Sequence, residues 1–260
     1  MTTYPKIGLA LSGGAARGFA HLGVLKVFKK HGVPIDMIAG TSAGSFAGAA
    51  FAAGMDVGQI EAIGKEISWY RVSSISWSTM GLVSNKPIAE LIKTRFPVNR
   101  FEDLKIPFAA IATDLETGKE KVFKDAGDIG FAVCASCAIP GIFAPLEDSE
   151  GRLYVDGGTV SPVPTDAVRK MGADIVIAVD LISSGATYWG RPSTLVGTLF
   201  QSGLILLQTA AQNQHMLADH VIIPEIAHLR PDEIGKMEEF VRLGEEAAMA
   251  SIERIFELIG

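Results

Sequence analysis

The stretch that most constrains this chain is Gly40-Thr41-Ser42-Ala43-Gly44, a G-x-S-x-G run lying between two segments of different period. Ahead of it Asp36-Met37-Ile38-Ala39 reads as a short buried strand, and behind it Ser45 to Ala53, all small or apolar, reads as a helix stopped at Gly54. A serine on that junction can sit on a sharp, strained turn with its hydroxyl above the sheet edge. Side chains at Gly40 or Gly44 would hold the strand and the helix apart. The amino end of the following helix also favours negative charge developing beside the hydroxyl. Ser42 is therefore a candidate nucleophile, with an ordinary flexible strand-to-helix turn as the competing reading.

Strands alternate with helices along the rest of the chain. Apolar runs at residues 6–11, 107–113, 174–180 and 221–223 read as strands, with an exposed, alternating one at 119–124. Helical periods fall at 17–31, 57–67, 85–96, 128–137, 165–171 and over the last 25 residues. This pattern predicts an α/β fold of three layers, α/β/α, with a largely parallel central sheet and sites at the carboxyl ends of its strands. With 260 residues and 48% hydrophobic content, one domain spanning 1–260 is expected.

The first strand runs into Ser12-Gly13-Gly14-Ala15-Ala16-Arg17-Gly18 and then a helix, an arrangement that points backbone N–H groups at a common locus. Such a loop can cradle a phosphate, although the Lys-Ser/Thr end of a P-loop is missing and Ala15 interrupts the glycine pattern. It can equally form an oxyanion hole, because it lies just ahead of the serine turn and its amides need only approach a tetrahedral oxygen.

Several function classes are disfavoured. The net charge is -6 without a basic block, so nucleic acid is not an expected partner. Cys134 and Cys137 form a lone C-x-x-C in an apolar run, which lacks the further ligands of a zinc site and reads as two packing cysteines; no metal or cofactor is expected. The amino terminus passes into a strand without a charged and apolar leader, so a cytoplasmic protein is expected, at most peripheral to a membrane. Charge-free segments at 37–55, 129–146 and 192–218 do not read as membrane spans, being broken by the serine turn, by prolines, or by glutamines and an asparagine.

Two stretches suit contacts with a lipid surface. Residues 68–84, with Trp69, Tyr70, Trp77 and Met80, lack a clean period and read as a loop over a site. Residues 195–207 carry more leucine, isoleucine, valine and phenylalanine than one helix face needs, and read either as a helix buried in the core or in a homo-oligomer interface, or as a membrane-facing surface.

A serine hydroxyl needs a base. A Ser, Asp, His order would join Ser42 to Asp156 or Asp180 and then to His215, His220 or His228, but no local signature marks any of these histidines. Asp156 is the stronger candidate, since it follows the strand-like Leu153-Tyr154-Val155 and precedes Gly157 and Gly158, which let a carboxylate be delivered at a strand end among closely packed backbone. To act as base it must be buried enough to raise its pKa toward neutrality.

Taken together, the Ser12 to Gly18 loop, the Gly40 to Gly44 turn and Asp156-Gly157-Gly158 resemble the patatin-like phospholipase family. So do His21-Leu22-Gly23-Val24-Leu25 and Ala135-Ser136-Cys137-Ala138-Ile139-Pro140, and the whole is most similar to short bacterial members akin to neuropathy-target-esterase catalytic domains. The resemblance implies a patatin-like fold and a serine acyl hydrolase of phospholipase or lysophospholipase type. It implies Ser42 as nucleophile, Asp156 as proton acceptor without a histidine, and an oxyanion hole at Gly13, Gly14 and Ala15, supported by Arg17, Gly18, Gly40, Gly44, Gly157 and Gly158. The substrate implied is a lipid acyl ester. Ser12 and Ala15 stand where many relatives have glycine. The competing expectations are an anion- or nucleotide-binding regulatory module with an inert Ser42, and an esterase with a Ser-His-Asp triad.

Overall fold

The structure, a computed structural model, describes residues 4–66, 74–78, 81–84, 86–184 and 192–260. Its centre is an eight-stranded sheet in the order β10-β9-β1-β2-β5-β8-β7, with β6 on the other edge of β5. These strands are β1 (Ile7–Leu11), β2 (Met37–Thr41), β5 (Phe108–Asp114), β6 (Glu120–Lys124), β7 (Leu146–Glu147), β8 (Leu153–Asp156), β9 (Ile175–Val179) and β10 (His220–Ile222). From β10 to β5 every pairing is parallel, whereas β6 and β8 run antiparallel to β5. Strands β1, β2 and β9 are buried along their whole length, which accounts for their continuous apolar runs.

The two faces of the sheet differ in depth. Ile7, Leu9 and Leu11 point into the larger core with Ile38, Phe108, Ile177 and Val179. Helices α1 (Phe19–His31), α2 (Ala43–Ala52), α3 (Val57–Glu66), α4 (Lys86–Arg95), α5 (Ile129–Ser136) and α8 (Met237–Ile259) all contribute to this core. Fully buried side chains such as Phe28 and Phe240 are worth about 1.5–3 kcal/mol each there. The opposite face offers mostly alanines, Ala10, Ala39, Ala109 and Ala178, beneath the short α6 (Thr165–Lys170) and Ala211 of α7 (Leu195–Gln214). Small side chains on that face let its cover sit close to the strands.

Local chemistry sets the ends of these helices. Gly32 closes α1 in the left-handed region (φ 70°), beside Lys29, Lys30 and His31 in its last turn. Asp128 caps α5 by accepting the Phe131 N–H at 2.6 Å, and Thr194 caps α7 by accepting that of Gly197 at 3.0 Å.

Two expectations change. Within the stretch expected to be a loop, residues Ser74–Ser78 (β3) and Gly81–Ser84 (β4) form an antiparallel pair. The alternation of serine with Ile75 and Trp77 in β3 is a strand pattern too short to register as a period. Trp77 sits on β3, while Trp69, Tyr70 and Met80 lie outside the described residues. The segment 195–207 is helical but is not buried in the core, Leu195 being 77% and Leu206 71% exposed; among its described side chains only Ala211, further along α7, is buried. No helix among the described residues is long and apolar enough to cross a membrane.

Candidate active site

The register of the sheet explains how two distant segments meet. Ala109 to Ile111 pair with both β2 and β6, and Ala112 and Thr113 pair with both β6 and β8. Strands β2 and β8 therefore share one edge of β5 and run toward each other along it, Thr41 opposite Ile111 and Asp156 opposite Ala112. Their carboxyl ends abut, which puts Ser42 and Asp156 on the two sides of one junction. The crowding there demands glycine: a β-carbon on Gly157 would lie 2.2 Å from the Ile111 carbonyl oxygen, and one on Gly44 would lie 2.2 Å from that of Leu11.

Ser42 is 6% exposed and occupies φ 52°, ψ -122°, a conformation costing on the order of 1–3 kcal/mol for a residue with a side chain. Its N–H donates to the Ser136 hydroxyl at 2.8 Å, and its carbonyl accepts from Ser45 and Phe46 as α2 begins. Asp156, also 6% exposed, accepts the Gly158 N–H at 2.7 Å. Burial pushes its carboxyl up to about 6, against smaller opposing pulls from the neighbouring Ser42 hydroxyl and from the Gly158 N–H. The result is a carboxylate that is ionised at neutral pH and basic enough to take a proton.

The glycine-rich loop approaches the same junction, Gly13 lying against the Ser42 β-carbon. Several polar groups in the loop are held by hydrogen bonds. The Ser12 N–H donates to Val179, the Ser12 hydroxyl accepts from the Leu181 N–H and donates to the Gly13 carbonyl, and the Ser12 carbonyl accepts from His21 Nε2 at 2.8 Å. The Gly13 N–H donates to Pro162 and that of Ala16 to Pro231. Among the described residues, the amides of Gly14 and Ala15 have no hydrogen-bond partner, whereas that of Gly13 is taken. Arg17 is turned inward, its guanidinium donating to the carbonyls of Leu229 and Leu181. It braces the loop and offers no charge to a phosphate.

The histidines fall elsewhere. His215 Nε2 lies 2.6 Å from Asp180, His228 faces Glu239, His220 is on β10, and His21 is buried against Ser12 with its pKa driven down to about 4, chiefly by burial. Among the described residues, no histidine is hydrogen-bonded to Ser42 or Asp156. Sequence reasoning missed Ser136, whose only signal was its place in the Ala135 to Pro140 run, and missed that Cys137 faces the site. The Cys137 thiol lies near Ser45, Ser42 and Asp156, and burial pushes its pKa well up, the Asp156 charge adding to the shift, so it stays a neutral thiol.

Beside Ser42 and Ala15 opens an apolar cavity of about 160 Å³, walled by Phe19, Leu22, Phe46, Ile60, Leu91 and Phe143 among others. No group of histidine, cysteine, aspartate and glutamate among the described residues is arranged to hold a metal ion.

Comparison with known proteins shows the family. A family model described as patatin-like phospholipase matches residues 9–169. An uncharacterized NTE family protein of Mycobacterium tuberculosis is 37% identical over 185 residues, 70% of this chain and 51% of that protein. Patatin-like phospholipase domain-containing protein 6 of Homo sapiens is 34% identical over 233 residues, 86% of this chain and 16% of that one. The chain thus spans about half the length of the mycobacterial relative. In fold it is similar to VipD from Legionella pneumophila, with a TM-score of 0.64 at 14% identity, covering 97% of this chain and 67% of that one. It is also similar to the type III effector protein ExoU, with a TM-score of 0.53 at 13% identity, covering 97% of this chain and 53% of that one. At such identities these likenesses concern the fold alone.

Proposed function

The chain belongs to the patatin-like phospholipase family, and on that premise we propose that it hydrolyses acyl esters of lipids through a Ser42–Asp156 dyad. Ser42 Oγ attacks the ester carbonyl carbon while its proton passes to the Asp156 carboxylate. The amides of Gly14 and Ala15 receive the oxyanion of the tetrahedral intermediate. Collapse of the intermediate expels the alcohol, which takes the proton back from Asp156 and leaves an acyl-serine. Water then attacks the acyl-serine, giving its proton to Asp156, and the fatty acid departs as Ser42 regains its hydrogen.

The observation that carries this reading is Asp156 itself, a buried carboxyl with a pKa of about 6 whose neighbours are the Ser42 hydroxyl and the Gly158 amide. The apolar cavity beside Ser42 supports a long-chain acyl group as the part of the substrate that is bound, because its walls offer almost no polar partner. A phospholipid or lysophospholipid meets that requirement. The turned-in Arg17 argues against the rival regulatory module, since the loop then lacks the cation a phosphate would need.

The test is labelling by a fluorophosphonate probe together with turnover of a short p-nitrophenyl ester. The wild-type protein is expected to be labelled at Ser42, and Ser42→Ala to abolish both labelling and turnover with the fold intact. Retained turnover in Ser42→Ala removes the proposal.

A further inference from the structure

Strands β2 and β8 meet end to end and make no ladder with each other, so β5 alone fixes their relative place within the sheet. A second connection comes from the carboxyl end of α5. The Ser136 hydroxyl accepts the Ser42 N–H at 2.8 Å, and two residues later the Ala138 carbonyl accepts the Asp156 N–H at 2.9 Å. Between them Cys137 turns its side chain toward both Ser42 and Asp156. The segment is stiff. The Cys137 N–H donates to Val133 at 2.9 Å, the Ala138 N–H donates to Ala135 at 3.2 Å, Pro140 follows, and Asp128 anchors the far end of α5. Ser136 and Ala138 are wholly buried, so water does not compete for either bond.

We propose that Ser136-Cys137-Ala138 is a bracket that sets the separation between nucleophile and base, with Ser136 as its positioning residue. The inference rests on the dyad reading above. An elbow serine in a left-handed conformation has an amide that no regular ladder can satisfy, and the Ser136 oxygen both satisfies it and ties it to the strand bearing the base. Without that oxygen, the Ser42 turn keeps its glycines but loses its tether to Asp156.

The consequence is visible in the pH profile. The groups that face Asp156 are the Ser42 hydroxyl, the Gly158 N–H and the neutral Cys137 thiol, and no charged side chain among the described residues acts on it. The neighbouring Ser42 hydroxyl lowers the Asp156 pKa, so moving it away lets that pKa rise.

The experiment compares Ser136→Ala and Ser136→Thr with wild type on a short p-nitrophenyl ester, with rates expressed per fluorophosphonate-titratable site so that any misfolded fraction drops out. In Ser136→Ala, kcat is expected to fall roughly 10- to 100-fold, the scale of an unsatisfied buried donor, with KM within about threefold. The acid limb of kcat/KM moves above its wild-type position. Ser136→Thr, which keeps the oxygen, is expected to restore most of the rate. Full kcat in Ser136→Ala, an equal loss in Ser136→Thr, or an unmoved acid limb overturns the bracket. Asp156→Asn, run alongside, separates the two ideas: a fully active Asp156→Asn sinks the dyad, whereas an inactive Asp156→Asn with a normal Ser136→Ala sinks the bracket alone.

Discussion

Asp156 and Asp180 are both buried, both stand at the carboxyl end of a strand, and both accept backbone N–H groups, yet their environments push them in opposite directions. Asp156 ends β8 and has one amide and one hydroxyl for company, so burial dominates and its pKa rises to about 6. Asp180 follows β9, and burial is again the largest single influence. There, however, hydrogen bonds from His215 and from the amides of Ile182 and Ser183 hold the carboxyl below its usual range. What separates the two is the number of donors: a carboxylate with few is costly to keep charged and ready to take a proton, and one with many is neither.

The largest expected effect comes from making the same substitution at both positions. Asp156→Asn should lower kcat on a soluble ester by roughly 10² to 10⁴, the range for removal of a general base. Asp180→Asn, acting on no reacting atom, should leave kcat within about tenfold. Steady-state kinetics on the two variants checks this, and an Asp180→Asn enzyme as impaired as Asp156→Asn would erase the distinction.

Titration comes next in size. If Asp156 must be ionised to accept the serine proton, kcat/KM is lost as pH falls through about 6, by roughly tenfold per pH unit below it. At pH 4 the deficit is on the order of a hundredfold. Asp180 is held below the usual carboxylate range, so Asp180→Asn should reproduce the wild-type limb. A pH–rate profile of wild type and Asp180→Asn makes the comparison, and a wild-type limb near 4 would mean that Asp156 is not tuned by burial as described.

How much of this could be read from residues alone varies between the two sites. The turn at Ser42 was legible because its constraint is local: Gly40 and Gly44 sit within two residues of the serine they make room for. The parallel sheet was legible for the same reason, since β1 and β9 are continuous apolar runs. Asp156 could be singled out by the two glycines after it, but its partnership with Ser42 depends on two strands abutting on β5, a register that no short window contains. Ser136 and the inward turn of Arg17 depend on contacts across 94 and 212 positions of sequence. The pairing of Asp180 with His215 spans 35 positions and resembles half of a triad from sequence alone. The donor count that distinguishes the two aspartates is a property of packing.

Stability should reverse the order of importance. A folded-state pKa raised from 3.8 to about 6 means that the native state resists ionising Asp156. The cost is absent below the unfolded value, grows between about pH 4 and 6, and reaches about 3 kcal/mol above that. Asp156→Asn removes it, so this inactive variant should be the more stable protein at pH 8, with an advantage that vanishes by pH 4. Asp180 has a lowered pKa, so its contribution is present above the unfolded value and is lost as pH falls through the folded one. Asp180→Asn should therefore be destabilised at neutral pH, by about 1–3 kcal/mol. Denaturant unfolding at pH 4 and pH 8 measures both, and equal signs at pH 8 would contradict the donor account.

The smallest effect isolates one donor. His215 is the only histidine paired with a buried aspartate among the described residues, and it sits just past the carboxyl end of α7. In a triad its loss would be as damaging to turnover as that of the nucleophile. In the arrangement described here it is one of several groups on Asp180, and the amides of Ile182 and Ser183 remain when it goes. The end of α7 is held independently, because Gln214 accepts the Val163 N–H at 2.7 Å and its carbonyl accepts the Thr165 hydroxyl at 2.9 Å. His215→Ala should therefore cost about 1 kcal/mol of stability, the net worth of one hydrogen bond, with kcat on a soluble ester unchanged within about threefold. A thermal melt and a single rate measurement suffice. A loss of turnover comparable to that of Asp156→Asn, in a protein that melts normally, would transfer the role of base from Asp156 to the Asp180–His215 pair.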